Sequence, residues 1–327
     1  MALFLGLDTS AYTTSLALVN SQQQIVMDQR IPLQIKPGER GLRQSQALFF
    51  HLQNLPLLFE GLDINLSRQI VAVAVSAWPR RVENSYMPVF LAGLNQARVL
   101  SRFANLPLHL VSHQEGHIMA ALIGNEDLLQ QDGFVAVHFS GGTSEILQVR
   151  RGAEHVLAVK TGLSGLDLHA GQLVDRVGVA MGLPFPAGPA LEALAWQSSR
   201  DNIPHLPSTV REEGFSFSGI EAQAMRLIKA GYRHEDIANA LFRAVGRTLE
   251  KALLIETARM GQGHVLLAGG VMANRIIKEY LLHRLEHPAR GLRLYFAEPR
   301  LCSDNAVGVA CLAATLQQGS GDAVRRP

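Results

Sequence analysis

Short apolar runs that end in polar or glycine-rich turns recur along the chain. Residues 2–7 and 15–19 are joined by a hydroxyl-rich link, and residues 135–139 and 146–149 are joined by Ser140-Gly141-Gly142-Thr143-Ser144. Each pair predicts two strands around a tight polar turn. Because the two pairs lie about one domain length apart, they predict a duplicated α/β architecture with two facing lobes.

Helical periodicity separates these units. The segment 236–260 carries apolar side chains at a spacing of four, which predicts a long helix with one apolar stripe. The stripe consists of Ile237, Leu241, Val245, Leu249 and Leu253. Residues 43–59 and 88–103 also have a helical pattern, whereas residues 71–75 and 264–268 are short apolar runs typical of buried strands.

Composition narrows the class of protein. A chain of 327 residues with 47% hydrophobic and 18% charged residues suits a soluble globular protein of two lobes. A net charge of +2 is too small to indicate a nucleic-acid binder, and we expect the basic pairs to be solvated surface groups. These pairs are Arg80-Arg81, Arg150-Arg151 and Arg325-Arg326. Two cysteines in one C-terminal stretch fit a cytoplasmic protein, and no apolar run is long enough to predict a membrane span.

The segment His113-Gln114-Glu115-Gly116-His117 places two imidazoles at a spacing of four. On a helix these side chains share a face and could chelate one metal. The zinc-protease motif needs Glu directly after the first His, where this chain has Gln114, so protease chemistry is disfavoured. Two helix-start histidines, one capping and one packed, are the alternative interpretation.

The turns Asp8-Thr9-Ser10 and Ser140-Gly141-Gly142-Thr143 are candidates for phosphate binding, because backbone N–H groups in such turns converge on an anion. In Ala268-Gly269-Gly270-Val271-Met272-Ala273-Asn274 a strand runs through glycines into a helix, as at nucleotide sites. A compact turn with Asn274 as N-cap explains that segment equally well.

Two aspartates remain ambiguous. Asp175, with Gly188 in a later proline-rich turn, could bind ribose hydroxyls or lie on a helix surface. Asp304 is predicted to start a helix of small residues, where an acid complements the helix dipole. Alternatively, it completes a two-His, one-carboxylate metal site, and spacing cannot choose between the two.

Taken together, these segments resemble the TsaD family of tRNA threonylcarbamoyladenosine transferases, once described as O-sialoglycoprotein endopeptidases. The resemblance runs from Gly6 to about Ala313, with its motifs in family order. They are GLDTS at 6–10, HQEGH at 113–117, FSGG at 139–142, DLHAGQLVD at 167–175, FPAGP at 185–189, FSFSG at 215–219, AGGVMANR at 268–275 and CSDN at 302–305.

The resemblance implies an ASKHA fold, the duplicated two-lobe α/β fold of actin-like ATPases, with a cleft between lobes. We expect the first lobe at 1–110 plus 300–327 and the second at 111–299. His113, His117 and Asp304 are the implied ligands of one divalent metal, Fe²⁺ or Zn²⁺. The implied binding site for an adenine nucleotide (ATP, ADP or acyl-AMP, with Mg²⁺ as a further option) consists of His138, Phe139, Ser140, Gly141, Gly142, Asp175, Gly188 and Asn274. Asp8, Thr9 and Ser10 are the candidate catalytic residues.

The implied reaction moves threonylcarbamoyl from its AMP ester to N6 of the adenosine beside the anticodon in tRNA. TsaB-like and TsaE-like proteins and a second copy of the chain are the expected partners, without a membrane.

The chain departs from the family near the reacting group, at Ala11-Tyr12-Thr13-Thr14 and Trp78-Pro79-Arg80 with Arg81. These departures keep two alternatives open, a paralogue with another acceptor and a non-catalytic partner subunit, while a sugar kinase or Hsp-type ATPase fits less well. Arg80 and Arg81 could bind an acidic acyl group or a phosphate.

Overall fold

The computed structural model describes residues 1–10, 12–34, 42–152, 156–199, 201 and 203–323. The chain divides into two compact units. Unit 1 comprises Met1–Ile123, Gly152–Leu157 and Arg300–Pro327, and unit 2 comprises Gly124–Arg151 and Ala158–Pro299. Ala11, Arg325 and Arg326, which entered the sequence predictions, lie outside the described residues.

Unit 1 is built on a five-stranded sheet in the order β3-β2-β1-β4-β5. Its strands are β1 (Leu3–Asp8), β2 (Thr13–Asn20), β3 (Ile25–Pro32), β4 (Ile70–Trp78) and β5 (Leu108–Ser112). Its helices are α1 (Gln44–Glu60), α2 (Ile64–Ser67), α3 (Phe90–Ala104), α4 (His113–Ala121) and α10 (Val307–Ala323). Strand β1 pairs antiparallel with β2 and parallel with β4, so the carboxyl ends of β1 and β4 share an edge.

Unit 2 is built on a seven-stranded sheet in the order β12-β11-β6-β7-β8-β10-β9. Its strands are β6 (Gly133–Phe139), β7 (Ser144–Arg151), β8 (Leu157–Gly165), β9 (Thr209–Val210), β10 (Gly214–Ser216), β11 (His264–Ala268) and β12 (Arg293–Phe296). Its helices are α5 (Ala170–Ala180), α6 (Gly188–Ala195), α7 (Ser218–Lys229), α8 (His234–Met260) and α9 (Arg275–Leu285). Short 3-10 helices span Glu126–Gln130, Gly270–Ala273 and Pro299–Leu301.

The two sheets repeat one plan. The order β3-β2-β1-β4-β5 in unit 1 matches β8-β7-β6-β11-β12 in unit 2. In both, the first two strands form an antiparallel pair and the next two lie parallel to the first strand. The duplicated α/β architecture predicted from the two strand–turn–strand segments is therefore confirmed.

Most predicted elements are also confirmed, because their apolar positions are the buried ones. The five apolar side chains of the 236–260 stripe lie on α8 and are fully buried in the core of unit 2. Cys302 and Cys311 are both buried. Arg150 and Arg151 are exposed, as expected of a surface pair, whereas Arg80 and Arg81 are half-buried, so that expectation is wrong for them. Among the described residues, we find no helix with the length and apolarity needed to cross a bilayer.

Candidate functional site

Helix α4 presents both histidines of the HxxxH segment on one face. The helix begins after Ser112, whose hydroxyl accepts the Glu115 N–H at 3.2 Å, while Glu115 Oε2 accepts the Ser112 N–H at 2.8 Å. This reciprocal cap fixes the first turn. Glu115 is buried and also receives the Arg81 guanidinium, so its carboxylate is directed away from the histidines. That placement is a second reason to reject metalloprotease chemistry.

Asp304 meets the two histidines within unit 1. His117 Nε2 lies 3.0 Å from His113 Nε2 and 3.2 Å from Asp304 Oδ1, and His113 Nε2 lies 3.7 Å from that oxygen. Ligand atoms bonded to one metal at about 2.0–2.1 Å are separated by about 3–3.5 Å. Two imidazole nitrogens and one carboxylate oxygen therefore fit a single divalent ion of the nitrogen- and oxygen-binding kind.

The expectation that Asp304 starts the following helix is wrong. Helix α10 begins at Val307, and its first turn contains no acidic residue. Asn305 instead accepts the Val307 N–H at 2.9 Å. The Asp304 carboxylate lies against His117 instead, with its Oδ1 3.2 Å from His117 Nε2.

Asp8 lies at the carboxyl end of β1 and supports the site from behind His113. Its Oδ2 accepts from His113 Nδ1 at 2.7 Å and from the Ser76 hydroxyl at 2.6 Å. Burial alone raises the pKa of Asp8, but the charge and hydrogen bond of His113 and the bond from Ser76 outweigh it and hold this pKa below its usual value. Burial lowers the pKa of His113, whereas the Asp8 charge and hydrogen bond raise it to about 9. An ionised carboxylate cannot donate, so Nδ1 carries the proton and Nε2 is turned toward Asp304 and His117.

Thr9 and Ser10 differ from Asp8 in their surroundings. The Thr9 hydroxyl donates to the Val89 carbonyl at 3.0 Å and accepts the Gly93 N–H at 3.1 Å, which ties β1 to α3. Ser10 donates its N–H to Asp8 Oδ1 at 2.8 Å, and its buried hydroxyl has no hydrogen-bond partner in the part of the chain that the structure describes. Of the three predicted catalytic residues, the structure brings Asp8 to the histidines.

Sequence reasoning missed Ser76 and the role of Glu115. Ser76 stands near the end of the apolar strand β4, where parallel strands bring their last residues together. A serine closing that apolar run was the available signal. Glu115 is recognisable in retrospect as the fourth residue of a Ser-x-x-Glu capping box.

In unit 2 the glycine turn after β6 is open on one side. Ser140 donates its N–H to the Thr143 carbonyl at 2.8 Å, and its hydroxyl accepts the N–H groups of Gly142 and Thr143. A Cβ added at Gly141 or Gly142 would meet no atom within 4 Å, whereas one at Gly171 would lie 2.6 Å from the Gly141 nitrogen. The first turn of α5 therefore packs on this turn and leaves its outer face available for a ligand.

The other predicted nucleotide residues have mixed surroundings. Asp175 Oδ1 accepts the Ala187 N–H at 2.8 Å beside Gly188, and burial raises the pKa of Asp175 although backbone bonds oppose it. Asn274 is buried and caps α9 by accepting the Ile277 N–H at 3.0 Å, as the N-cap interpretation expects. Phe139 packs against Phe215 in the core, so only its backbone could face a ligand. His138, half-buried, lies one residue earlier on β6.

The Gly269 backbone approaches β6 closely. Gly269 has a φ of +94°, and an added Cβ would overlap the Phe139 carbonyl. This contact holds the Gly269-Gly270 turn at the end of β6, next to the turn that Ser140 opens. The structure therefore groups the two glycine turns of unit 2, and α5 with them.

Comparison with known proteins identifies relatives of this chain. A model of the TsaD family, tRNA N6-adenosine threonylcarbamoyltransferase, matches residues 51–311. A tRNA N6-adenosine threonylcarbamoyltransferase of Sulfurihydrogenibium sp. (strain YO3AOP1) is 31% identical over 94% of this chain and 88% of its own length. The enzyme of that name from Bacillus subtilis (strain 168) is 31% identical, again over 94% of this chain and 88% of its own. A probable bifunctional tRNA threonylcarbamoyladenosine biosynthesis protein of Thermoplasma acidophilum is 27% identical, and 56% of its length is covered.

Solved structures share the fold at low identity. The Acidaminococcus fermentans (R)-2-hydroxyglutaryl-CoA dehydratase component A superposes with a TM-score of 0.56 at 14% identity, covering 96% of this chain and 98% of that one. HypF of T. kodakarensis has a TM-score of 0.58 at 15% identity, covering 98% of this chain and 48% of that one. A ROK family glucokinase from Streptomyces griseus has a TM-score of 0.54 at 13% identity, covering 96% of this chain and all of that one. These likenesses establish the two-lobe ASKHA-type α/β fold.

Proposed function

The chain belongs to the TsaD family of tRNA N6-adenosine threonylcarbamoyltransferases, and we propose that it transfers threonylcarbamoyl from an acyl-AMP to N6 of the adenosine beside the anticodon. The observation that carries this proposal is the triangle of His113, His117 and Asp304, backed by Asp8, in a chain of this family. A subunit that only binds a partner has no use for such a triangle, so the site favours an enzyme over a scaffold.

His113, His117 and Asp304 would hold the divalent metal, iron or zinc. An ion bound there would supply Lewis-acid chemistry for polarising a carbonyl of the acyl group. Asp8 keeps the His113 ring in one orientation and one tautomer. Its pKa is held low, so we assign it this positioning role rather than that of a general base.

Unit 2 would hold the adenylate. The open turn of Ser140, Gly141 and Gly142 suits a phosphate, and Asp175 beside Gly188 suits ribose hydroxyls. Backbone of His138 and Phe139 and the cap residue Asn274 complete the proposed set. In the transfer, the bond from N6 to the carbamoyl carbon forms, the bond from that carbon to the AMP oxygen breaks, and N6 loses one proton. Because the donor is already activated, positioning supplies most of the catalysis and no covalent enzyme intermediate is needed.

The second candidate is a paralogue that keeps the metal and nucleotide but uses another acceptor. The loop 78–81, which departs from the family, supports this candidate. It contacts the first turn of α4, which carries the metal ligands, through Pro79 and Arg81. Arg81 is paired with Glu115 at 3.2 Å, which weakens the idea that its charge serves an acidic acyl group.

Partners and lobe limits stay part of the proposal. We propose tRNA as the substrate, TsaB-like and TsaE-like proteins and a second copy as partners, and the cytoplasm as the compartment. Mg²⁺ with the nucleotide belongs to the same set. The predicted lobes, 1–110 plus 300–327 and 111–299, remain predictions, with α4 in unit 1 of the structure.

Complementation of a strain lacking its TsaD, followed by nucleoside analysis of its tRNA, tests the reaction. We expect restored threonylcarbamoyladenosine from the wild-type chain and none from His117→Ala. His283→Ala, a change of an exposed histidine on α9, is the matched control and should complement fully. If the wild-type chain is expressed and the nucleoside stays absent, the proposed acceptor is wrong. That result would favour the second candidate, a paralogue with another acceptor.

A further inference from the structure

A cavity of about 440 Å³ lies in unit 1 beside the first turn of α4. It is lined by seven residues of one loop region, Trp78, Arg81, Val82, Glu83, Asn84, Ser85 and Tyr86. We call it the Trp78 cavity. Its volume falls within the usual range of small-ligand sites, roughly 300–1,000 Å³. None of the residues assigned above to metal or adenylate binding lines it.

The loop around the Trp78 cavity is fastened to the helix that carries the metal ligands. The Pro79 carbonyl accepts the Gln114 N–H at 3.0 Å, and the Arg81 guanidinium donates to Glu115 at 3.2 Å and to the Leu110 carbonyl at 3.2 Å. Within the loop, the Arg80 N–H donates to the Ser85 hydroxyl at 3.0 Å. A ligand in this cavity would therefore be held in a defined position relative to His113 and His117.

The lining does not suit an anion. Arg81 is the one basic side chain among the lining residues, and the buried Glu115 compensates its charge. Glu83 adds a further negative charge to the lining. A phosphate or a carboxylate would therefore gain little electrostatic attraction in this cavity. This argues against the acyl group of the donor, which carries a carboxylate, as the occupant.

The lining does suit an uncharged aromatic ring. The Arg81 guanidinium lies over the Trp78 ring, 5.5 Å from its centroid, and Tyr86 is 64% exposed. The Trp78 Nε1–H is buried and has no hydrogen-bond partner among the residues that the structure describes. Nucleobases combine a flat ring with acceptor atoms at its edge, and unstacked bases of RNA loops stack on aromatic and arginine side chains in this way.

We propose that the Trp78 cavity receives a nucleobase of the acceptor RNA that neighbours the modified adenosine. This rests on the proposed function, and it assigns recognition of the acceptor to residues 78–86, of which 78–81 depart from the family. Tyr86 and Trp78 stack on the base. Arg81, which is held by Glu115, keeps the Trp78 ring in place.

Tryptophan fluorescence tests the proposal directly, because the chain has only Trp78 and Trp196. In Trp196→Phe protein, titration with an RNA hairpin that carries an adenosine beside its anticodon should quench Trp78 emission. Tyr86→Ala in that background should raise the Kd of the hairpin about 5- to 140-fold, the usual effect of losing one stacked base. Tyr86→Phe should retain binding, since it keeps the ring.

Tyr232→Ala removes another exposed tyrosine, in unit 2, and serves as the control with unchanged Kd. Modification of the hairpin is followed in parallel, at saturating RNA, with the Tm of each variant. Modification without Trp78 quenching, with the same Kd for Tyr86→Ala and Tyr86→Phe as for the parent, would overturn the cavity assignment and leave the reaction standing. Quenching by L-threonine with AMP but not by RNA would assign the cavity to the donor and overturn it as well. A wild-type chain that neither binds nor modifies the hairpin removes both proposals.

Discussion

Replacing Asp8 by asparagine would remove the charge behind His113 while keeping the shape of the side chain. Asp8 Oδ2 accepts two donors, from Ser76 at 2.6 Å and from His113 at 2.7 Å, and Oδ1 accepts the Ser10 N–H at 2.8 Å. An amide offers one acceptor oxygen in place of two, so its NH2 group must face at least one of these donors. The variant therefore loses a hydrogen bond in a fully buried position.

Two magnitudes follow from this geometry. Loss of a carboxylate that orients a ligating histidine lowers metal affinity about 10- to 100-fold, or about 1.4–2.8 kcal/mol. A buried donor left without an acceptor costs about 1–3 kcal/mol of the free energy of unfolding. Both effects should appear in Asp8→Asn, the first in metal binding and the second in the metal-free protein.

Competition with a chromophoric chelator gives the Zn²⁺ Kd, and urea unfolding gives the stability of the metal-free chain. Asp63→Asn is the matched control, since Asp63 is exposed and caps α2 by accepting the Asn65 N–H at 2.6 Å. It should leave the Zn²⁺ Kd unchanged. If Asp8→Asn binds Zn²⁺ as tightly as wild type while His117→Ala does not, Asp8 does not orient His113 and the reasoning fails.

Three further changes test the packing and the second unit. Gly308→Ala should lower the free energy of unfolding in urea by about 3 kcal/mol or more. The added Cβ would lie 2.6 Å from the Ala120 nitrogen and closer still to the Gly116 carbonyl oxygen. A loss under about 1 kcal/mol would show that α4 and α10 can separate freely. Gly141→Ala should keep wild-type stability, since the added Cβ meets open space, but weaken AMP binding in calorimetry; unchanged affinity would remove that turn from the proposed adenylate site. Burial raises the pKa of Asp167, but hydrogen bonds from Ser216, Ser218 and the backbone outweigh it and lower this pKa to about 2. The ionised Asp167 therefore stabilises the fold in full above about pH 4, and this contribution is lost as the pH falls through about 2. The Tm difference between wild type and Asp167→Asn should accordingly shrink over that range, and a constant difference would contradict this.

Much of the fold was predictable because local periodicity and burial agree. The alternation of short apolar runs with turns predicted β1, β2, β6 and β7, and the four-residue stripe predicted α8. Strand β3, whose residues are nearly all half-buried, and the two-residue β9 were missed. Half-buried edge strands carry little hydrophobic contrast, so their pattern does not distinguish them from loops.

The sequence by itself determined the class of the protein, its duplicated strands and the helix that pairs His113 with His117, since these depend on neighbours along the chain. Only the tertiary structure decided that Asp304, which is 187 residues from His117 along the chain, lies beside the histidines. Close packing of α10 on α4 at Gly308 and Gly116 brings it to the histidines, and the parallel pairing of β1 with β4 brings Ser76 to Asp8. Contacts of this kind depend on the packing of distant elements, which the spacing of residues along a single chain does not encode.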